Sequence, residues 1–538
     1  MSLPYLTIAR WTHTGMLRQA WKPAAASIAV AGPAYYFYSS RDSQQTFELP
    51  VRVKTADGKK SEHIMKTLPL LPMKTVNSRL GQIGHSETNS RPYGVTWNHT
   101  TASLASNDPI EDAHSHQIIQ SDDAKGDLLF YTVFDGHGGR DTSQLLSRTL
   151  INAVALQLSQ LAANTTSSSS STKSFTSALW GLWSNPSTPS FWDIPSVSSA
   201  IESAFVEFDR VLLDAPISIL KQALQERKLG AKDPIPDLSG NAQAIQTMQA
   251  AISGSCALMA VFDTAQRDLY IACTGDSRAV AGVWEPSEDG KGAWKVDVLS
   301  EDQTARNPKE VERLRSEHPK SEATEVVMNG RVLGGLEPSR AFGDARYKWP
   351  TGIQELLNQV YMVGNGTPLR KPPKTFKTPP YVTAQPVVTH RKLSFDDPSS
   401  LRFLVIATDG LWDVLTPEEV VSLVGGHLAG LKGSISRDAL PTLVPTSVAN
   451  AGVDGKAGKQ LARSTKQGSW AFVDDNLSTH LIRNALGGGD EKEVRQMMSI
   501  PPGMSRRYRD DVTVTVVWWE AGKEGEAKST DVMIKSKL

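Results

Sequence analysis

The chain has 538 residues, of which 39% are hydrophobic and 21% charged, the proportions of an ordinary soluble globular protein. Its 57 lysines and arginines balance its 57 aspartates and glutamates, so it lacks the basic excess typical of nucleic-acid binders. The two cysteines, Cys256 and Cys273, lie in apolar strand-like runs, which excludes a disulfide framework or cysteine zinc cluster and predicts two buried thiols in a reducing compartment.

The first 41 residues have the composition of a targeting sequence. They contain no aspartate or glutamate but three arginines and one lysine, and apolar residues recur at helical spacing up to Lys22. This pattern predicts a mitochondrial presequence. The apolar run at 24–38 is shorter than the ~20 residues that a helix needs to span a bilayer. Two readings stay open, a short membrane segment and a cleaved, featureless leader.

Beyond residue 42 the predicted strands and helices come in separate blocks. Strands are predicted at 47–53, 128–134, 256–262, 269–273, 296–299, 401–408 and 512–518. Apolar residues at i, i+3, i+4 spacing predict helices at 142–161, 197–213 and 308–317. The short polar link between 256–262 and 269–273 predicts a hairpin. Blocks of this kind favour an α+β layered sandwich with mainly antiparallel sheets over a doubly wound parallel sheet.

One large domain is predicted at 93–520, after an N-terminal extension at 42–92. Insertions are predicted at about 164–196, 353–380 and 425–470, from a Ser/Thr run, a Pro/Lys-rich loop and a Gly/Ser/Lys-containing stretch. The first insertion carries aromatic residues, including Trp180 and Trp192. They either dock a partner or pack on the domain as an anchored loop, and the second reading is favoured.

The C-terminal tail, 521–538, ends in Ser536-Lys537-Leu538. This tripeptide is an address that the peroxisomal import receptor reads. The alternative is a frayed basic tail. Together the two ends predict a protein addressed to both mitochondria and peroxisomes.

Acidic residues recur at the ends of the predicted strands. Asp135 follows the strand at 128–134 within the turn Asp135-Gly136-His137-Gly138-Gly139, and Asp409 follows the strand at 401–408. Comparable turns contain Glu111, Asp112, Asp276 and Asp510. One such carboxylate is typical of a solvated loop, but strands that pack into one core bring their ends together. The sequence therefore predicts a carboxylate cluster.

Such a cluster predicts a site for Mg²⁺ or Mn²⁺ rather than zinc or copper, because its ligands are oxygens. Two of these ions, about 3.5–4 Å apart and sharing a carboxylate, activate a water and clamp a transferring phosphoryl group. This chemistry suits the hydrolysis of phosphomonoesters and requires no side-chain nucleophile.

Six motifs occur in order along the chain: Glu111-Asp112, Asp135-Gly136-His137-Gly138-Gly139, Thr274-Gly275-Asp276-Ser277-Arg278-Ala279, Ser339-Arg340-Ala341-Phe342-Gly343-Asp344, Asp409-Gly410-Leu411-Trp412-Asp413 and Asp510-Asp511-Val512-Thr513. Together they resemble the motif set of the PP2C family of metal-dependent protein serine/threonine phosphatases, over about residues 96–518. The resemblance implies an α/β/β/α sandwich of two antiparallel sheets flanked by helices, with insertions. It also implies hydrolysis of phosphoserine and phosphothreonine in proteins.

Four stretches of the sequence resemble one branch of this family in particular. Residues 104–112, 310–319, 340–349 and 508–511 are similar to the mitochondrial pyruvate dehydrogenase phosphatase branch. The presequence-like N-terminus agrees independently. The implied substrate is the α subunit of pyruvate dehydrogenase, which dephosphorylation would activate.

The resemblance also implies a role for each matching residue. Asp135 would bridge two Mg²⁺ or Mn²⁺ ions, the Gly136 carbonyl would bind one, and Asp409 and Asp510 the other. His137 would donate a proton to the leaving oxygen. Further residues implied at the metals are Glu111 and Asp112, on a metal or its waters, and Asp276 and Asp413, at a third and weaker ion.

Two positions depart from the usual family pattern. Asn107 stands where most members have the arginine that binds substrate phosphate, and an amide cannot form the charged bidentate pair. Asn107 itself and Arg140 are candidates for phosphate binding. Asp511 replaces an asparagine common in relatives and adds negative charge near the metals, which is compatible with cation binding.

Two other readings compete with this one. An inactive binding module with the same fold would be free to lose Asp135, Asp409 or Asp510, and all three are present. A phosphatase acting mainly on other mitochondrial or peroxisomal proteins stays open.

Overall fold

The computed structural model describes residues 45–54, 61–90, 95–120, 126–166, 193–226, 235–286, 292–395, 401–448 and 468–521. The chain divides into two compact units, Met1–Pro72 and Met73–Leu538. In the first unit, β1 (Thr46–Lys54) pairs antiparallel with β2 (Ser61–Pro69), which confirms the strand predicted at 47–53. All other elements belong to the second unit.

The remaining strands and helices of the described chain are numbered in chain order. The strands are β3 (Gly84–Ser90), β4 (Val95–Leu104), β5 (Ala113–Gln120), β6 (Asp127–Phe134), β7 (Gly136–His137), β8 (Gly254–Ser255), β9 (Ala257–Asp263), β10 (Asp268–Thr274), β11 (Arg278–Glu285), β12 (Ala293–Val298), β13 (Val327–Met328), β14 (Arg331–Val332), β15 (Phe342–Gly343), β16 (Val387–Lys392), β17 (Leu401–Ala407), β18 (Gly433–Ser436), β19 (Thr446–Val448), β20 (Ser469–Phe472) and β21 (Val512–Ala521). The helices are α1 (Met73–Ile83), α2 (Asp141–Thr166), α3 (Ile194–Gln225), α4 (Ala242–Ile252), α5 (Pro308–Glu317), α6 (Ala345–Lys348), α7 (Thr351–Leu357), α8 (Asp409–Trp412), α9 (Pro417–Leu428), α10 (Leu440–Leu443), α11 (Leu477–Ala485) and α12 (Glu491–Ser499).

Two sheets form the centre of the second unit. One has the strand order β16-β10-β9-β6-β5, and the other β19-β12-β11-β17-β21-β4-β3. The pairs are antiparallel except for β12 with β19. The predicted hairpin is confirmed, because β9 pairs with β10 over Ala257–Thr274.

The strands are apolar on both faces because each sheet is covered on both sides. Along β6, Leu129, Tyr131 and Val133 face the core between the two sheets, whereas Phe130 and Phe134 face α2 and α3 on the outer side. This alternation follows from the two-residue period of a strand. Helices α9 and α11 pack on the outer face of the other sheet. The α/β/β/α sandwich predicted from the resemblance is confirmed.

The helices begin where side chains can accept their first backbone N–H groups. Asp193 accepts from the Ser196 N–H at the start of α3, and Thr416 and Glu419 form a capping box at α9. Predicted helix 308–317 coincides with α5, whereas α3 continues to Gln225, well beyond predicted residue 213. The extra turns of α3 bury Leu220 in a satellite core with α4.

Two predicted insertions contain more structure than expected. In 425–470, β18 pairs with β20 and β19 extends the larger sheet, so a mobile surface insert is wrong for residues 425–448. In 353–380, a helical segment at Asn358–Met362 buries Val360 and Tyr361. The second unit begins at Met73, ahead of the predicted domain start at 93, because β3 pairs with β4.

Several predictions fall outside the described residues. They are the presequence and apolar run within 1–41, residues 167–192 with their aromatic side chains, and the tail with Ser536-Lys537-Leu538. Among the helices that are described, none combines the length and the apolar character required to cross a membrane. Both cysteines are buried and free, as the sequence predicts.

Candidate metal centre

Three carboxylates from distant parts of the chain meet where interior strands of the two sheets end. Asp135 follows β6, Asp276 lies in the turn between β10 and β11, and Asp409 begins α8 directly after β17. One carboxylate oxygen of each lies within 4.8 Å of the others. Since β6 and β10 belong to one sheet and β17 to the other, this cluster exists because the sheets pack face to face.

The acids of this cluster repel one another. Burial, followed by the charges of Asp409, Asp112, Asp276 and Asp510, raises the pKa of Asp135 well above its usual range. Burial, followed by the charge of Asp409, raises the pKa of Asp510 to about 7. Buried negative charges at this spacing are costly without a cation, and carboxylate oxygens suit a hard divalent ion. The donor set therefore fits a metal centre.

Two other predicted ligands lie beside this group of three. Asp413 is one helical turn after Asp409, and its N–H donates to the Asp409 carbonyl at 2.7 Å. Gly136 is buried in β7, where a Cβ would overlap the carbonyl oxygen of Glu111. A residue with a side chain would push this backbone away from the acids.

The adjacent acids Glu111 and Asp112 are held by different partners. Asp112 Oδ2 accepts a hydrogen bond from Thr408 Oγ1 at 2.9 Å, which ties it to the end of β17. Glu111 Oε1 accepts from the Gly139 N–H at 2.7 Å, which ties it to the glycine turn after Asp135. Burial, followed by the charge of Asp511, raises the pKa of Asp112.

Asp511 anchors the loop that carries these acids. Its Oδ1 accepts hydrogen bonds from the N–H groups of Ser106 and Asn107, the latter at 2.9 Å. Its Oδ2 accepts from the Glu111 N–H at 2.8 Å and from Asn107 Nδ2 at 3.0 Å. The sequence indicated only added negative charge at this position. The structure adds a positioning role for both carboxylate oxygens.

The two candidates for phosphate binding have other neighbours in this structure. Asn107 Nδ2 donates to Asp511 and, at 3.3 Å, to Glu111 Oε2, so its donors are engaged with carboxylates. Arg140 is exposed and lines a groove of about 720 Å³ between α2, α3 and α4, together with Arg148. Both residues stay predictions for phosphate binding.

A cation that the sequence motifs did not indicate lies beside the acids. Arg506 Nη1 is 2.6 Å from Asp510 Oδ2. Burial lowers the pKa of Arg506, but the charges of Asp510, Asp409, Asp135 and Asp511 outweigh it and raise that pKa. The guanidinium is half-exposed. Its four-residue spacing from Asp510 was the available sequence signal, although charged pairs at that spacing are common on any surface.

His137 is fixed by a carboxylate from a distant motif. Its Nε2 lies 2.7 Å from Asp344 Oδ2. Burial lowers the pKa of His137, but the charge and hydrogen bond of Asp344 outweigh it, and the pKa is raised. The small sheet β15-β8-β7 brings the pair together, and a Cβ at Gly254 would overlap both side chains. The sequence did not indicate this partner for His137.

A buried ion-pair network supports the segment that ends at Asp344. Glu310 of α5 accepts hydrogen bonds from Arg340 Nη2 at 2.8 Å, Arg313 Nη2 at 2.8 Å and Ser339 Oγ at 2.7 Å. Burial raises the pKa of Glu310, but these arginines outweigh it and lower the pKa to about 2. Two of the stretches that narrowed the resemblance, 310–319 and 340–349, therefore contact each other and position the backbone near His137.

Known proteins are similar to this chain over most of its length. The family model described as "Protein phosphatase 2C" matches residues 216–450. A protein phosphatase 2C homolog of Schizosaccharomyces pombe is 35% identical over 78% of this chain and 79% of its own. The mitochondrial [pyruvate dehydrogenase [acetyl-transferring]]-phosphatase 1 of Saccharomyces cerevisiae is 36% identical over 87% of this chain and 76% of its own. The human protein of the same name is 34% identical over 77% and 76%.

Proposed function

Since the chain belongs to the protein phosphatase 2C family of metal-dependent serine/threonine protein phosphatases, we propose that it dephosphorylates the α subunit of pyruvate dehydrogenase in mitochondria and thereby activates it. The observation that carries the catalytic part is the convergence of Asp135, Asp276 and Asp409 within 4.8 Å. The relatives named as pyruvate dehydrogenase phosphatases support the substrate. The proposed catalytic domain spans 93–520.

We assign the metal ligands by position in the cluster. Asp135 would be shared by two Mg²⁺ or Mn²⁺ ions, with the Gly136 carbonyl on one and Asp409 and Asp510 on the other. Glu111 and Asp112 would hold coordinated water, and Asp276 and Asp413 a third ion. When bound, the two ions supply an activated water and positive charge for the transferring phosphoryl group.

His137 would serve as the general acid. Because Nε2–H is committed to Asp344 at 2.7 Å, the proton available for transfer is the one on Nδ1. The carboxylate of Asp344 stabilises the charged imidazole before transfer. A serine or threonine alkoxide is a poor leaving group, so a proton delivered to that oxygen assists cleavage by about 10²–10⁴-fold.

Arg506 would contact the substrate phosphate in place of the arginine that Asn107 replaces. Its half-exposed guanidinium lies next to the acid cluster, and arginine binds phosphate through paired charged hydrogen bonds. The amide donors of Asn107 are instead engaged by Glu111 and Asp511. Asn107 and Arg140 stay secondary candidates for this role.

A phosphatase acting mainly on other mitochondrial or peroxisomal proteins is the second candidate. The C-terminal Ser536-Lys537-Leu538 favours it, because that signal would direct some copies to peroxisomes. The absence of aspartate and glutamate from residues 1–41 favours mitochondrial import. A weak membrane association of residues 24–38 belongs to the same proposal. Imaging the chain with and without Leu538 separates the two destinations.

The test measures phosphate release from phosphorylated pyruvate dehydrogenase by the purified full-length chain, with Mg²⁺, with Mn²⁺ and with chelator. Release that needs metal and disappears in Asp409→Asn supports both the activity and its site. Metal-dependent release from a phosphothreonine peptide alone would reject the dehydrogenase as substrate. Release from neither would reject the enzyme and favour an inactive binding module.

A further inference from the structure

A second cluster of ligand-type side chains lies away from the acidic site. Atoms of Glu87 on β3, His99 on β4 and His116 on β5 all lie within 4.8 Å of one another. β3 is the last strand of the larger sheet and β5 the last strand of the smaller sheet. Glu87 is directly opposite His99 in the β3–β4 register, and the three residues therefore join the two sheets at their open edge.

The nitrogens of both imidazoles converge on one carboxylate oxygen. Glu87 Oε2 is 3.0 Å from His116 Nε2 and 3.8 Å from His99 Nε2. The two ring centroids are 4.4 Å apart. In a tetrahedral site with metal–ligand bonds of about 2.0–2.1 Å, neighbouring ligand atoms lie about 3.3 Å apart. The two observed distances bracket that spacing.

The surroundings orient the carboxylate and leave polar atoms without partners. Asn89 Nδ2 donates to the other oxygen of Glu87, Oε1, at 2.9 Å, as outer partners of metal ligands do. His99 is buried, and its Nδ1 makes no hydrogen bond to any described residue. The same holds, within the described chain, for the hydroxyl of Tyr131, whose ring centroid is 5.1 Å from that of His99.

An ordinary histidine–carboxylate ion pair explains only part of this arrangement. Such a pair exists at the opposite edge of the smaller sheet, where His390 Nε2 is 2.8 Å from Asp268 Oδ1. It accounts equally well for His116 with Glu87. It does not account for a second, buried imidazole, that of His99 on the larger sheet, which is directed at the same oxygen but lies beyond hydrogen-bond distance from it.

We propose that Glu87, His99 and His116 bind one zinc-class divalent cation, which cross-links the two sheets at their open edge. Two imidazole nitrogens and one carboxylate oxygen suit Zn²⁺, whereas Mg²⁺ prefers oxygen ligands alone. Glu87 and His116 are half-exposed, so the fourth position is open to water. The site is separate in ligand chemistry from the acidic cluster, and it does not depend on the proposed function.

The experiment titrates the full-length protein with zinc in excess Mg²⁺, so that Mg²⁺ occupies the acidic cluster. Co²⁺ in place of zinc reports tetrahedral nitrogen coordination by its visible absorption. The variants are His116→Ala and the conservative Glu87→Gln, at exposed positions that leave the core intact. The matched control is His390→Ala, which removes a histidine from a comparable pair at the other edge.

We expect one tight zinc equivalent in the unmodified protein and in His390→Ala. His116→Ala and Glu87→Gln should bind at least about 100-fold more weakly, since loss of an outer partner alone costs 10–100-fold. Zinc should also slow amide hydrogen exchange in 84–90 and 113–120. Equal zinc affinity in all four proteins, or no binding in excess Mg²⁺, would overturn the proposal, as would an unchanged exchange rate in both segments.

Discussion

Replacing Asp344 with asparagine would remove the charge beside His137 while keeping the local backbone. Asp344 has a left-handed conformation, with φ of 50°, which asparagine adopts more readily than most residues. Asparagine also has the same shape and still accepts a hydrogen bond from Nε2–H. The change therefore tests the charge of Asp344 rather than the space it occupies.

The expected size of the effect follows from the geometry. His137 and Asp344 are 2.7 Å apart, with side chains 25% and 9% exposed, so water screens their attraction weakly. General-acid catalysis is worth about 10²–10⁴-fold. We expect kcat on a phosphoserine peptide to fall by about 100-fold, or about 2.7 kcal/mol of barrier, with KM changed little.

The assay compares two substrates that differ in their need for a proton. The leaving group of an aryl phosphate is the anion of an acidic phenol and departs without a proton from the enzyme. Asp344→Asn should therefore slow hydrolysis of this substrate by less than about threefold. His137→Gln should show the same selectivity. Equal losses on both substrates would mean that Asp344 supports the fold or the metals instead, and no loss on the phosphopeptide would refute the assignment of His137.

Three further predictions concern the ion-pair network of Glu310, the proposed metal ligand Asp409 and the proposed phosphate contact Arg506. Glu310→Gln should lower the free energy of unfolding in urea by about 3 kcal/mol because it removes the carboxylate that pairs with the buried Arg340, whereas Glu317→Gln, which removes an exposed carboxylate from Arg313 on the same helix, should cost under about 0.5 kcal/mol. The pKa of Glu310 in the folded protein is about 2, below its value in the unfolded chain. The stabilisation by Glu310 is therefore complete above pH ~4.5 and is lost as the pH falls toward 2. Parallel curves of Tm against pH for Glu310→Gln and Glu317→Gln would contradict this. Asp409→Asn should weaken Mg²⁺ binding in calorimetry and abolish phosphatase activity, and unchanged binding would remove Asp409 from the ligand set. Arg506→Gln should raise KM for the phosphoprotein about tenfold. An equal rise in KM for Arg507→Gln would mean that general positive charge, rather than a specific contact by Arg506, attracts the substrate.

Much of the sandwich could be predicted because its strands are long apolar runs with turns at their ends. β6, β9, β17 and β21 appear in the sequence as predicted, and helix α5 coincides with its predicted range. β3 and β5 could not be found in this way, since both are edge strands with mostly polar residues, almost none of them fully buried. Their hydrogen-bonding neighbours, rather than their own periodicity, make them strands.

The sequence by itself determined the composition of the candidate site. Glycine-containing turns after buried strands place Asp135, Asp276 and Asp409 at strand ends, and that placement is local. Which acids meet was decided by the order and packing of the two sheets. The same tertiary contacts decided that Asp344 pairs with His137 across 207 positions and that Arg506 is the cation beside the acids. Local periodicity carries no information about such contacts, because strand order and sheet packing depend on the free energy of the whole core.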